Sequence, residues 1–582
     1  MSTVAQPLAP PSRTLQIFRT WLPALPAIFF LAIFFVVPVF QILQGSFLSD
    51  AGNLDWSAFG RIVQAPVYVK VLWTTFGISL ATALLSILIG YPIAYLLSSQ
   101  SERSRGKWLL WIMLPFWTSY LVKTYAWMLL LSKTGLLTTV ASILGLVSDS
   151  HSLAPSLFGV LIGMVHAMLP LAVMTMLPTL QGINRQLSSA AEILGAGRST
   201  NFLTVFLPLS LPGVAAAGLL VFITCLGFFI VPALLGTPRE SMIAQLVISS
   251  VLELIDMRFA GALSIVILIC SIVVFYVYDK LVGLTSLAGE STQTNTGSRN
   301  GWVMHGLVAL GRALDRFSSK PSIRKGKLSM LAYYGYAVVG FLVLPVLIVI
   351  PIAFTKTAVV AFPPSLFSLR WFAEFFASPV WQAAIVRSML VGACTAFLAV
   401  LLGFGATYAL SKVSARWSKP LFALFVAPLI VPRIVIAIGL LYLFASLGLM
   451  GSDLALVIGH TILAIPYVVV TLAAGFRQFD WRLDDAAKIL GASAWQRVRT
   501  VLLPLMAASI TSALLFAFIV SFDDLTIAIF VSGGVNTTLP KQMWDDIQLA
   551  VTPTLAAVST FLILLITFVI FLANFFKAKG SH

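Results

Sequence analysis

Twelve stretches of this chain are each long and apolar enough to cross a bilayer, and nothing constrains its fold more. They run over 21–45, 68–97, 107–131, 156–180, 209–231, 259–283, 329–353, 383–410, 420–446, 453–476, 506–530 and 551–575. A bilayer core takes about 20 apolar residues per helix, and inside it backbone polar groups must be satisfied within the segment. A chain that is 59% hydrophobic and 10% charged, with a mean hydropathy of +1.00, is excluded from the soluble class. The expected fold is an all-α integral membrane protein of about 12 transmembrane helices.

Charge placement orients it. Of the 36 Lys and Arg, 25 fall in the termini and in the loops after even-numbered spans, and eight in the alternate loops. By the positive-inside rule both termini are expected in the cytoplasm. The net charge of +16 is then a matter of orientation, and no nucleic-acid partner is expected. Arg13 and Arg19 precede an apolar run longer than a signal-peptide core, so residues 1–20 read as a cytoplasmic tail and the first span as retained. Cys225, Cys270 and Cys394 lie inside apolar spans without motif spacing and read as core residues, with no metal site.

The chain also repeats itself. Residues 190–208 read AAEILGAGRSTNFLTVFLP and residues 486–504 read AAKILGASAWQRVRTVLLP, an offset of 296 with 13 residues from Gly to Pro in each. Gly90–Ser98 (GYPIAYLLS) matches Gly403–Ser411 (GFGATYALS) at an offset of 313, which also pairs Pro115 with Pro428. The difference places 17 extra residues in the outer loop of the first half, around 133–155. Six spans per unit is an even number, so the units repeat in the same orientation, related by an axis along the membrane normal. The domains are then 21–284 and 329–582, joined by 285–328. Residues 285–301 have a flexible-linker composition. Beyond them Val303, Leu307, Leu310, Leu314 and Phe317 recur at helical spacing with Arg312 and Arg316 elsewhere, which fits either an interfacial helix or a partly disordered basic linker.

Each repeated loop reads as a short cytoplasmic helix bent at Gly195 or Gly491, where glycine takes a positive φ or admits a neighbouring backbone. The small pairs Ala190–Ala191 and Ala486–Ala487 permit close approach. The Ala-Ala, Gly and Leu-Pro pattern resembles the EAA loop of binding-protein-dependent ABC importer permeases of the type I fold, here with two permease units fused. The family's Glu position is Ser189 in the first copy, a departure, and Asp485 in the second. The motif closes at Pro208 and Pro504. The resemblance implies that both loops dock on an ABC ATPase and that a carboxylate in place of Gly195 or Gly491 uncouples them. No G-x-x-x-x-G-K-[ST] phosphate loop occurs, Gly326-Lys327-Leu328 being the nearest string. The chain is therefore expected to be a non-enzymatic transport subunit of a bacterial inner-membrane importer and to bind no cofactor. ATP and Mg would belong to two copies of a separate ATPase, and a solute-binding protein would deliver the solute from outside.

Residues 114–131 (LPFWTSYLVKTYAWMLLL) and 521–540 (SFDDLTIAIFVSGGVNTTLP) are similar to regions of spermidine/putrescine-type permeases, which implies a polyamine-like or other small amine or amino-acid solute. Intramembrane charges cost about 2.5–3.5 kcal/mol each on insertion scales and mark paths or pairs. Asp523 and Asp524 read either as a cation-attracting patch or as structural partners of Arg433, Arg387 or Lys123. Arg433, after Pro428 and Pro432, would by itself suit an anion such as a phosphonate, and a ferric ion or organic anion stays open as cargo. Trp117, Tyr120 and Tyr125 are further candidates for the path, by stacking on amines. His166 and His460 read as hydrogen-bonded packing residues. The competing reading is an ion-coupled 12-helix secondary transporter, which leaves the paired loops without a purpose.

Overall fold

The computed structural model describes residues 20–48, 52–146, 152–282, 301–317, 330–358, 362–364, 366–534 and 536–579. In the first half the main helices are α1 (Leu22–Phe47), α2 (Pro66–Ser99), α3 (Glu102–Trp117), α4 (Tyr120–Leu131), α5 (Leu157–Gly182), α6 (Arg185–Ile193), α7 (Arg198–Leu226), α8 (Ile230–Leu235) and α9 (Met257–Val282). The linker helix is α10 (Gly301–Phe317). The second half comprises α11 (Met330–Ala353), α12 (Pro379–Lys412), α13 (Ala415–Ile430), α14 (Arg433–Ser446), α15 (Asp453–Gln478), α16 (Trp481–Ile489), α17 (Ala494–Phe522), α18 (Thr526–Val531) and α19 (Pro553–Lys579).

Among the described residues ten helices are long and apolar enough to span a membrane, eleven when α13 and α14 count as one bent span. All twelve expected stretches are helical, but four are broken. The third, expected to be continuous over 107–131, stops at Trp117 and restarts at Tyr120. The ninth bends by 93° between α13 and α14. Pro432 explains the second case, because a proline drives the residue before it out of the helical region, and Val431 is extended at ψ 125. At the equivalent place in the first half Ser119 does the work by capping, its hydroxyl accepting from Leu121 N at 3.3 Å. The fifth and eleventh stretches break at 227–229 and 523–525.

In each half three long helices pack together, α2 with α5 and α7, and α12 with α15 and α17. The first helix of each half crosses to the other. Helix α1 lies on α12 and α14, where Gly405 leaves room for the Pro23 carbonyl and Gly439 for Pro38. Helix α11 lies on α2, α3 and α4, tied by Tyr334 Oη donating to Ile89 O at 2.9 Å and by His166 Nε2 against Leu342 O at 2.9 Å. The two halves therefore form one interlocked core.

Three π-helical segments, Ala32–Val36, Phe202–Phe206 and Val498–Leu502, each precede a proline, Pro38, Pro208 and Pro504. Widening the helix there moves the carbonyl four residues back away from the pyrrolidine ring. The extra residues of the first half carry a short helix, Leu136–Ile143. Of the two alternatives for the linker, the structure has a helix over Gly301–Phe317. The expectations for 1–19, 283–300 and 318–329 lie outside the described residues.

Candidate functional site

Each repeated loop follows directly on a long apolar helix, α5 in the first half and α15 in the second. Helix α6 is capped by Asn184, whose side chain accepts from Gln186 N at 2.9 Å, and α16 by Asp480, which accepts from Arg482 N at 3.0 Å. Both helices end alike. Gly195 N donates to Glu192 O at 3.0 Å and Ala196 N to Ala191 O at 2.9 Å; Gly491 N donates to Lys488 O at 3.1 Å and Ala492 N to Ala487 O at 3.0 Å. These are paired Schellman closures, which require a left-handed residue, and the glycines have φ +87° and +84°. No atom lies within 4 Å of a Cβ built on either. Positive φ, and not a close backbone neighbour within the chain, is what makes them glycine.

The closures turn Ile193 and Leu194 (86% and 87% exposed) and Ile489 and Leu490 (both 86%) outward. Ala190 and Ala486 are exposed beside them, and Ala191 and Ala487 half-buried. Ser189 is exposed, its hydroxyl donating to Arg185 O at 3.4 Å. Asp485 is also exposed, and it is its neighbour Asp484 that forms an ion pair, with Arg497 Nε at 3.1 Å. In the first loop an uncharged donor takes the place of the arginine: Asn201 Nδ2 donates to Ser188 O at 3.2 Å and to Glu192 Oε1 at 3.3 Å. The offset of 296 aligns Asp484 with Ser188 and Arg497 with Asn201, so the repeat held the signal for this pair.

At the entrance to α7, Asp315 of the linker helix accepts from Ser199 N at 2.7 Å, Thr200 N at 3.1 Å and Thr200 Oγ1 at 2.7 Å. The Thr200 hydroxyl, then the two amides, hold its carboxyl down at about 2 against the opposing effect of desolvation.

Deep in the bundle the four helix breaks meet in pairs. The break after α17 faces the one before α4, with Tyr120 N donating to Asp523 Oδ1 at 3.3 Å. The break after α7 faces the one before α14, where a Cβ on Gly227 would lie 3.1 Å from Pro432 Cβ. Asp524 is fully buried between Arg433 (Nη1 to Oδ1, 4.0 Å) and His460 (Nε2 to Oδ2, 3.5 Å), and accepts from Ile527 N at 2.8 Å. His460 also meets Ser521 Oγ at 2.7 Å. Sequence spacing gave His460 no titratable neighbour, and the fold supplies one 64 residues away.

Asp523 is half-buried and lines a cavity with Ser119, Phe518, Phe522 and Pro540. Lys123 acts on it electrostatically and lies 4.1 Å over the Tyr120 ring. Tyr120 packs edge-on against Phe228 at 5.1 Å. Trp117 is half-buried at the end of α3. Tyr125 is fully buried and its hydroxyl donates to Thr552 O at 3.1 Å, fastening α4 to the turn before α19. Arg387, a further candidate for the buried acids, instead pairs with Asp453 at 2.7 Å.

The family profile described as the binding-protein-dependent transport system inner membrane component matches residues 398–579. The spermidine/putrescine transport system permease protein PotB of Haemophilus influenzae is 30% identical over 260 residues, 44% of this chain and 91% of the relative. PotC of the same organism is 29% identical over 247 residues, 42% of this chain and 96% of the relative. Each relative is thus matched over nearly its whole length by less than half of this chain. A crystal structure of a bacterial alginate ABC transporter in complex with a pentasaccharide-bound periplasmic protein aligns at 17% identity and a TM-score of 0.38, over 47% of this chain and 97% of that one.

Proposed function

This chain belongs to the family of binding-protein-dependent inner-membrane permeases, and on that premise we propose that it supplies both membrane halves of an ATP-driven importer. In this reading the face bearing α6, α10 and α16 is cytoplasmic, and each repeated loop sits on one of two copies of a separate ATPase that binds ATP and Mg. A solute-binding protein delivers the cargo at the opposite face. The observation that carries the proposal is the pair of Ile-Leu tips, Ile193–Leu194 and Ile489–Leu490, held out by matching helix closures. Apolar side chains exposed in this way call for a protein partner, and a two-fold pair calls for two copies of one.

The cargo we assign is a polyamine-like organic cation. The matched relatives are named for spermidine and putrescine, and Asp523 offers a carboxylate to a cavity at the helix breaks. Asp524 is enclosed by Arg433 and His460, which favours a structural role for it. A substrate ammonium would share Asp523 with Lys123.

Two measurements test these assignments. Leu194→Asp together with Leu490→Asp should abolish co-purification of the ATPase from membranes in which the permease is normally inserted; undiminished retention would overturn the docking assignment. Asp523→Asn should lower uptake at least tenfold with the complex intact. Asp524→Asn should lower the unfolding temperature, and adding Arg433→Gln should restore it. Uptake that is vanadate-resistant and collapses with a protonophore would favour the ion-coupled reading instead.

A further inference from the structure

The offset of 296 aligns Gly197 with Ser493, Ser199 with Trp495 and Thr200 with Gln496. In the second loop the entrance to α17 caps itself: Ser493 Oγ accepts from Gln496 N at 3.3 Å, and Gln496 Oε1 accepts from Ser493 N at 2.8 Å. That is a reciprocal capping box, which satisfies donors that a helix start leaves open. The first loop has glycine at the capping position and so has no side chain with which to do this. Its backbone is nevertheless the same, with Gly197 at φ −66° and ψ 171° against φ −63° and ψ 161° for Ser493.

The missing acceptor comes from another part of the chain. Asp315, more than 110 residues on, takes the Ser199 and Thr200 amides and the Thr200 hydroxyl. Two glycines make room for it. A Cβ on Gly197 would overlap the Asp315 carboxylate, and a Cβ on Gly311 would lie 2.7 Å from Thr200 Cα. A passive tether has no need of either. Where the linker helix covers the first loop, the second loop leaves Trp495 68% exposed.

We propose that the linker helix α10 is a working part of the first coupling loop, with Asp315 as a positioning residue that caps α7 in trans and fixes the path from the Ile193–Leu194 tip into the membrane. The proposal rests on the reading of these loops as ATPase docking elements. Force applied at the tip then reaches the following helix, α7 or α17, through a capped, rigid entrance in both halves, built from the linker for α7 and from the loop itself for α17.

The test uses the full-length chain, assembled with its ATPase in lipid nanodiscs. Asp315→Ala should speed hydrogen exchange at the Ser199 and Thr200 amides about tenfold, the scale of a lost N-cap, and should lower transport-coupled ATP hydrolysis severalfold. Asp315→Asn, which keeps one acceptor oxygen but sets an NH2 donor in place of the other, should cap only one of the two amides and fall between wild type and Asp315→Ala. Gly197→Ser added to Asp315→Ala should restore both readouts, because a serine there has the backbone and the vacated space to cap as Ser493 does; a residue that merely anchored the linker would not be rescued in this way. Unchanged amide exchange in Asp315→Ala would overturn the cap, and accelerated exchange with unchanged coupling, or failure of the serine to rescue, would overturn the positioning role. A wild-type chain that retains no ATPase would instead remove the docking assignment, and the positioning role with it, while the two amides still report whether the cap exists.

Discussion

The two repeated loops present the same tips on the same closures, yet they are held from behind by different chemistry. The second is self-sufficient, with an Asp484–Arg497 ion pair and a Ser493–Gln496 capping box. The first replaces the ion pair with the hydrogen bonds of the uncharged Asn201 and the capping box with a carboxylate borrowed from the linker. The comparison teaches that the repeat preserves requirements rather than residues. Both loops must close on a left-handed residue, tie the loop base to the next helix and satisfy the first amides of that helix, and any side chain that meets the need will serve. The membrane breaks follow the same rule, with Pro432 ending the helix in one half and Ser119 in the other.

The largest expected effect lies in the ties at the base. Arg497→Ala leaves Asp484, only 13% exposed, without its cation, and should cost about 2 kcal/mol, somewhat below the range for a fully buried pair. Asn201→Ala removes two hydrogen bonds of an uncharged donor, and because Glu192 is exposed and its released carboxylate is taken up by water, it should cost about 1 kcal/mol. Thermal unfolding in detergent measures both, and equal losses would break the comparison. Next come the closures, where the halves should not differ: Gly195→Ala and Gly491→Ala each force a Cβ into the left-handed region and should each cost about 1–2 kcal/mol. Asparagine at either position should cost less, and a large disparity between the copies would show that one loop is strained by something other than its closure.

The smallest effect concerns pH. The Asp315 carboxyl is held below its ordinary value of 3.8, at about 2, so its contribution is complete above about pH 4 and is lost as the pH falls toward 2. Between pH 5 and 8 protection of the Ser199 and Thr200 amides, corrected for intrinsic exchange, should therefore stay constant. A loss of protection within that window would mean that the cap is not a carboxylate.

Much of this architecture was legible beforehand for a local reason. Apolar run length marks a span because the bilayer acts on each segment separately, and a glycine after a short polar helix marks its closure because the Schellman bonds join residues at most five apart. The breaks at 118–119 and 431–432 were harder. Pro115 and Pro428 pointed to the region, but both sit inside their helices, and the chain turns three residues later. Asp485 sits exposed at the motif's acidic position, while the carboxylate turned toward Arg497 is that of its neighbour Asp484, since a helix aims adjacent residues about 100° apart.

By itself, then, the sequence determined the spans, the duplication, the two loops and the glycines that end them, all of which follow from neighbours along the chain and from the solvent each segment meets. Only the tertiary structure decided that each first helix crosses to the opposite half, that Asp524 lies between Arg433 and His460, and that Asp315 reaches the amides at the start of α7. Those contacts join residues between 64 and 116 positions apart or lie between helices of different halves. No periodicity encodes them, because they exist only once packing has brought the helix breaks and the linker helix into register.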